Sequence, residues 1–574
     1  TRHYFRNPPT KFFGGWGLSS KKVPASPVSF SPCPSFPPVF FSLLSNNTRK
    51  KGAFGNKSYG KNMFKNVNMS LLDLLGKDYA ESVASANEAV GAMSRMEAEA
   101  WLSGKVDFFT EAEQSAEDTL LPLVGQKIAT PFVNDNDGAP TDSFRKAENK
   151  SASPVTGRGP YRVGEDGKLY LTMKSEHYHA SLGHRFAGYR LIDHARKLGI
   201  PNATHNNTRG YITRLCEKRI VQTANGIDWN DDAATEELLA SREAHRLNRV
   251  INLETGSLAV EAGVKMMLAR FYRLSPELPA PKYEGRTPVF FVMADNAGDK
   301  TGNYHGTTVL TQTFRGLWSP FYDLAERAGL YRVVPVKIND IADFKEKLDT
   351  YNSGAFKVAG FLHEIVMMNY GGIRLTEEYL HEAYRLCHGS DTPVLVDEIQ
   401  TCMWYPGMFL FRLYGLDPDF CAIGKGFPGG EYPASRILTT AEYDNLNQFG
   451  ALVTNGQEEL ASLAYLVTMT FAHENEAELA KNCELFEKGL AALKEKYPEK
   501  LVATEGKGLL AALHFHTLSE AAAFTDALHH ECVDASAQLY KANCVPAVLF
   551  KPPVNSTEAT LNALLAILDK VLAK

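Results

Sequence analysis

The chain has 574 residues, 22% of them charged and 44% hydrophobic, with a formal net charge of −5, a composition that excludes disordered, collagen-like and fibrous classes. Residues 1–68 hold eleven Lys or Arg and no Asp or Glu, while the other 506 hold 50 basic against 66 acidic side chains, and a body of −16 argues against a broad nucleic-acid-binding face. No apolar run reaches the roughly 18–20 residues of a membrane-spanning helix, and eight cysteines without a C-x-x-C pair suggest neither zinc nor a disulfide framework, leaving a reducing compartment and no metal as the expectation.

Residues 1–68 run through Pro-rich, Ser-rich and Lys-rich patches such as SFSPCPSFPPVFF, without a sustained period of 2 or 3.6, and no packed core is expected there. An organelle transit peptide fits this basic, acid-free leader; upstream sequence ahead of a start at Met63 or Met69, or a cationic tail, fits it as well. The location expected is therefore cytoplasmic, or organellar if the leader is a transit peptide. Residues 69–155 begin with a stretch rich in Ala, Glu, Leu and Met with helical apolar spacing, read as a helical extension that covers an active-site mouth or widens a dimer interface. After the Asn/Asp/Pro-rich loop near 132–158, short β-branched runs alternate with amphipathic segments. Strands are predicted at Thr287–Met293, Tyr331–Val336, Val358–Leu362, Val394–Val396 and Ala547–Phe550, the pattern of an α/β sheet covered on both faces. The division expected is a large domain over 230–455, and a smaller α/β domain from 156–229 plus 456–574 closed by a helix at 558–574.

The stretch Pro393–Gly430 carries the chemistry. Pro-Val-Leu-Val reads as a buried strand ending in Asp397-Glu398, which delivers carboxylates to a carboxyl strand end, where open α/β sheets bind ligands. Lys425 lies 28 residues later between Gly424 and Gly426, and glycine on both sides predicts an open approach for a bulky planar partner. An amine that bonds a cofactor aldehyde, with an acid to hold the ring nitrogen protonated, is what an electron-sink cofactor requires.

At these residues the sequence resembles the class III aminotransferases, fold type I enzymes that use pyridoxal 5'-phosphate. Asp397, Glu398, Gln400, Thr401, Gly407, Phe409, Pro418, Asp419, Lys425 and Gly429 follow the family's signature in order. The resemblance implies a large, mostly parallel sheet domain with a smaller α/β domain, and a Schiff base between Lys425 and pyridoxal phosphate. It also implies Asp397 at the ring nitrogen, Gln400 at the phenolic oxygen, Tyr304 stacked on the ring, and phosphate anchored by Gly256 and Ser257 at a helix N-terminus. Glu364 falls on the substrate side, and Thr454 matches a threonine that reaches the phosphate of a neighbouring subunit, which implies a homodimer. His305, beside Tyr304, is read as structural.

Departures concern the substrate. The Arg expected ahead of a Pro-Pro pair is missing from AVLFKPPV, where Lys551 is the cation; Gly-x-Gly-Arg becomes Cys402-Met403-Trp404-Tyr405; and an expected Arg is Glu505. A pocket unlike that of the ornithine or acetylornithine enzymes follows. The reading is an aminotransferase passing an amino group from an amine or amino acid to a 2-oxo acid or aldehyde. An aminomutase or racemase on the same fold is the alternative, and a non-catalytic scaffold a third reading.

Overall fold

The computed structural model describes residues 64–574 except 134, 135, 137, 148, 149, 175–179, 203, 204, 449 and 540–542. The reading of residues 1–63 as a leader lies outside the described residues. Residues 64–68 do not fit it: Phe64 and Val67 are buried, the Phe64 ring packs 5.8 Å from that of Phe471, and the Phe64 amide N–H donates to Gln114 Oε1 at 3.0 Å. The folded body therefore starts ahead of the boundary expected at Met69.

A seven-stranded sheet organises the molecule. Its strands are β1 (Arg249–Leu253), β2 (Thr287–Met293), β3 (Arg332–Val336), β4 (Phe356–His363), β5 (Val394–Asp397), β6 (Phe420–Ile423) and β7 (Ser435–Thr439), in the spatial order β1-β7-β6-β5-β4-β2-β3. β3, β2, β4, β5 and β6 run parallel, and β7 is antiparallel to both its neighbours. Because side chains alternate along a strand, β2 sends Val289, Phe291 and Met293 into one core cluster and Phe290 and Val292 into another across the sheet. Both faces are buried, which explains the near-continuous apolar runs. The helix Gly256–Leu268 lies on the second face, its N-terminus capped by Thr255, whose hydroxyl accepts from the Leu258 amide at 3.4 Å.

Two four-stranded sheets accompany the large one. Leu501–Lys507, Leu510–Phe515, Ala547–Phe550 and Ser536–Ala537 form an antiparallel sheet, and Val533–Asp534, Leu169–Thr172, Tyr161–Gly164 and Pro154–Arg158 form the other. Between Tyr161–Gly164 and Leu169–Thr172 the Asp166-Gly167 turn has Gly167 at φ 77°, a conformation glycine adopts without steric cost. These sheets share one continuous core with the first face of the large sheet, so the two expected domains are two sets of sheets rather than two separate cores. The helices Tyr211–Asn225 and Glu459–Glu474 pack together, and the buried Glu459 carboxylate accepts from the amides of Ile212 and Thr213 at 2.8 and 3.3 Å. It satisfies donors that the first turn of Tyr211–Asn225 leaves unpaired.

Residues 64–155 include helices Leu71–Leu75, Lys77–Ala89, Arg95–Ser103 and Glu111–Asp118; the first three pack together, and Leu71–Leu75 and Arg95–Ser103 also pack against the helix Arg190–Lys197. No helix among the described residues is long and apolar enough to cross a membrane. Because Phe64 sits among Phe109 and Phe471, Phe64→Ala should cost about 3 kcal/mol, read as a lower denaturation midpoint. An unchanged midpoint would exclude residue 64 from the folded body.

Candidate active site

The carboxyl ends of β4, β5 and β6 converge on a cavity of about 220 Å³ lined by Lys425, Asp397, Gln400, Glu364, Tyr304 and Ser257 among others. Parallel strands with neighbouring registers bring these ends together: Val396 pairs with His363, and Asp397 with Ala422. Asp397 ends its strand 5% exposed. Its carboxylate accepts from the Ile399 amide at 3.1 Å and lies 2.9 Å from His305 Nδ1. A buried carboxylate is costly unless hydrogen-bonded, and His305 supplies the side-chain donor from 92 residues away.

Glu398, next along the chain, points the opposite way, as alternation at a strand end requires. It is fully buried and accepts from the amides of Leu410 and Phe411 at 2.9 and 2.6 Å and from the Thr401 hydroxyl at 3.2 Å. Burial pushes its carboxyl up to about 7 against those bonds. Glu398 thus fixes the Leu410–Leu413 turn instead of facing the cavity.

Lys425 follows β6 with φ 26°, a positive value that non-glycine residues rarely adopt and that concentrates at functional sites. The glycines around it answer a different need from the open approach expected. A Cβ at Gly424 would lie 2.3 Å from Ser435 Oγ, and one at Gly426 would lie 2.6 Å from the Trp404 ring. Close packing of the turn against Ser435 and Trp404 excludes any side chain there.

Gly256 and Ser257, which also line the cavity, form the first turn of the Gly256–Leu268 helix. The Ser257 hydroxyl accepts from the Thr307 amide at 3.0 Å, docking the Tyr304–Thr308 loop on the helix start. Gly306, at φ 114°, passes so near that an added Cβ would stand 2.7 Å from Ser257 Cα. Tyr304 lines the cavity, and the Arg315 guanidinium sits 4.8 Å over its ring. Gln400 Nε2 donates to Glu364 Oε1 at 3.0 Å, while Gln400 Oε1 is buried with no partner among the described residues. Lys425, Asp397, Gly256, Ser257, Tyr304, Gln400 and Glu364 are thus brought together. Thr454 is not: it lies exposed in the turn before Glu459–Glu474 and is absent from the lining, as is every described residue of 64–155.

Sequence reasoning missed the pairing of His305 with Asp397; the only signal was its place beside Tyr304. Glu254, Ile399 and Ser435 also line the cavity, and no motif singled them out for it.

Residues 146–572 match the family described as aminotransferase class-III. The chain is 28% identical over 338 residues to an acetylornithine aminotransferase from Nostoc sp., covering 57% of this chain and 72% of that protein. It is 27% identical to a putrescine aminotransferase from Pectobacterium atrosepticum, covering 56% of this chain and 65% of that one. Among solved structures, an adenosylmethionine-8-amino-7-oxononanoate aminotransferase from Methanocaldococcus jannaschii superposes with a TM-score of 0.59 at 20% identity, covering 80% and 99% of the two chains. An ornithine aminotransferase from Toxoplasma gondii does so at 0.58 and 19%, covering 76% and 96%; both establish the fold. Relatives named as aminotransferases do not favour the aminomutase or racemase alternative. A match across well over half of its length, on this fold and around this cavity, makes the chain a member of the class-III aminotransferase family.

Proposed function

We propose that this enzyme uses pyridoxal 5'-phosphate bound at Lys425 to move an amino group from an amine or amino acid to a 2-oxo acid or aldehyde. The observation that carries the reading is the joining, in one cavity, of Lys425, the Asp397–His305 pair and the helix N-terminus at Gly256–Ser257. Donors and acceptors there fit the cofactor. The first-turn amides of the Gly256–Leu268 helix offer an anion site, the buried Asp397 carboxylate offers a place for a protonated ring nitrogen, and the unpartnered Gln400 Oε1, or the amide nitrogen if the group is turned, faces a polar ring substituent.

Pyridoxal phosphate, when bound, supplies an aldehyde carbon that exchanges between amines and a ring that draws electrons from the substrate carbon. Lys425 would hold that carbon through its amine and, once freed, would carry a proton as general base and acid. Asp397 would accept from the ring-nitrogen N–H, and His305, with Nδ1 2.9 Å away, orients the carboxylate. Tyr304 would pack on the ring face, Gly256 and Ser257 would bind the phosphate, and Gln400 is oriented by its bond to Glu364, which would border the substrate side. Thr454, exposed and remote from this cavity, reaches the phosphate of a second subunit, so the working unit is a homodimer.

Lys425→Ala should abolish the visible absorption that pyridoxal phosphate gains on binding and lower turnover by at least about 10²-fold. A wild-type chain that takes up no pyridoxal phosphate would sink the reading. With cofactor but no keto acid, an amine should give one equivalent of carbonyl product per site and then stop. His305→Gln should keep the visible band and lower kcat by about 10–100-fold, the usual cost of losing the partner that orients a site residue. An unaltered kcat would reduce His305 to packing.

A further inference from the structure

At the opposite end of β6 from Lys425, three side chains that no motif connected meet: His245, His388 and Asp419 place one donor atom each within 4.8 Å of the others. They come from the loop ahead of β1, the last turn of the helix Glu377–Gly389, and the residue just before β6. We propose that His245, His388 and Asp419 form a binding site for a divalent transition-metal ion, with Zn²⁺ the chemically best-suited occupant.

The donor set argues for the ion. Two imidazoles and one carboxylate suit Zn²⁺ and its neighbours, whereas Mg²⁺ and Ca²⁺ are held by oxygen ligands. Asp419 is 1% exposed and already oriented: its Oδ2 accepts from the Val394 amide at 2.9 Å, leaving Oδ1, 2.8 Å from His245 Nδ1, as the remaining donor. Such an outer bond to a ligating carboxylate tunes metal sites generally. His388 Nε2 is buried without a hydrogen-bond partner among the described residues, a state that costs free energy and that a metal bond would relieve. The helix carrying His388 ends there, and the negative end of its dipole favours a cation. The two rings lie 3.6 Å apart at 19°; an entering ion would turn them until their lone pairs converge. His245 itself sits at φ 61°, on a turn that aims it inward.

Access is provided as well. A cavity of about 520 Å³ opens beside the cluster, lined by His245, Asp417 and Glu243, and Asp417 Oδ2 lies 3.8 Å from His388 Nδ1. Three protein ligands would leave a fourth position for water or one of these carboxylates. An ion there would tie the loop leading into β1 to the start of β6 and the end of Glu377–Gly389 without using any group of the catalytic cavity.

The test is Zn²⁺ titration, by calorimetry, of the untagged full chain loaded with pyridoxal phosphate. One equivalent should bind with a micromolar or tighter Kd, and His245→Gln and His388→Gln should each weaken it at least tenfold while the cofactor band stays unaltered. X-ray absorption at the zinc edge of the wild-type protein, which needs no variant, should show two imidazoles with oxygen in the first shell. Absence of saturable binding, a Kd unmoved in both variants, or a shell of sulfur or oxygen alone would overturn the proposal.

Discussion

A charged carboxylate taken out of water at the end of a parallel strand is the constraint around which this site is arranged. Asp397 is 5% exposed, and an ion so placed loses several kcal/mol of solvation unless fixed donors replace the water. The Ile399 amide supplies one within the chain's own turn, and His305 supplies the other across the cavity. His305 can do so only because the loop around it is seated on the helix start, through the Thr307 amide on Ser257 Oγ and the close passage of Gly306. The acid and the anion site are therefore positioned by the same short loop. A change at Gly306 would disturb both, even though its own backbone does no chemistry.

The turn around Lys425 shows the same economy of space. β6 ends between β5 and β7, and the chain must leave under the Trp404 ring and past Ser435. Neither glycine beside Lys425 has room for a methyl group, and Lys425 itself takes a positive φ. A long side chain in such a conformation persists only where surrounding packing over-determines the backbone. Here Trp404, locked by its indole N–H on the Pro552 carbonyl at 3.0 Å, is part of that packing. The replacement of Gly-x-Gly-Arg by Cys402–Tyr405, read from the sequence as a departure that concerns the substrate, thus buttresses the catalytic turn through Trp404.

Local pattern was legible wherever the determinant was local. The β2 strand and the strand Ala547–Phe550 have the bounds read from their apolar runs, since both are buried on two faces and bordered by turn residues. The strand end at Asp397 and the glycine-flanked Lys425 were visible for the same reason. What escaped were relations set by distant packing. His305 looked like a lone structural histidine because its partner is 92 residues away. Asp397 and Glu398 looked alike because one strand register sends them to opposite environments. Phe64 was assigned to the leader because composition changes at Met69, while the aromatic cluster that buries it is completed by Phe471. Spacing could not join His245, His388 and Asp419 either, since a loop, a helix end and a strand start bring them together.

Electrostatics at the cavity continue the argument about substrate. Among its described lining residues, Glu254, Glu364 and Asp397 are acids, Lys425 is the single Lys or Arg, and none is an arginine. The planar, bidentate recognition that arginine gives a substrate carboxylate is therefore missing from this lining. Asp397 is engaged with His305 and Glu364 with Gln400, yet a hydrogen bond to a neutral amide redistributes a carboxylate's charge without cancelling it. The lining thus sets these acids against one lysine and the anion-favouring helix N-terminus at Gly256–Ser257. A carboxylate on a substrate has therefore to be met in this lining by groups other than arginine.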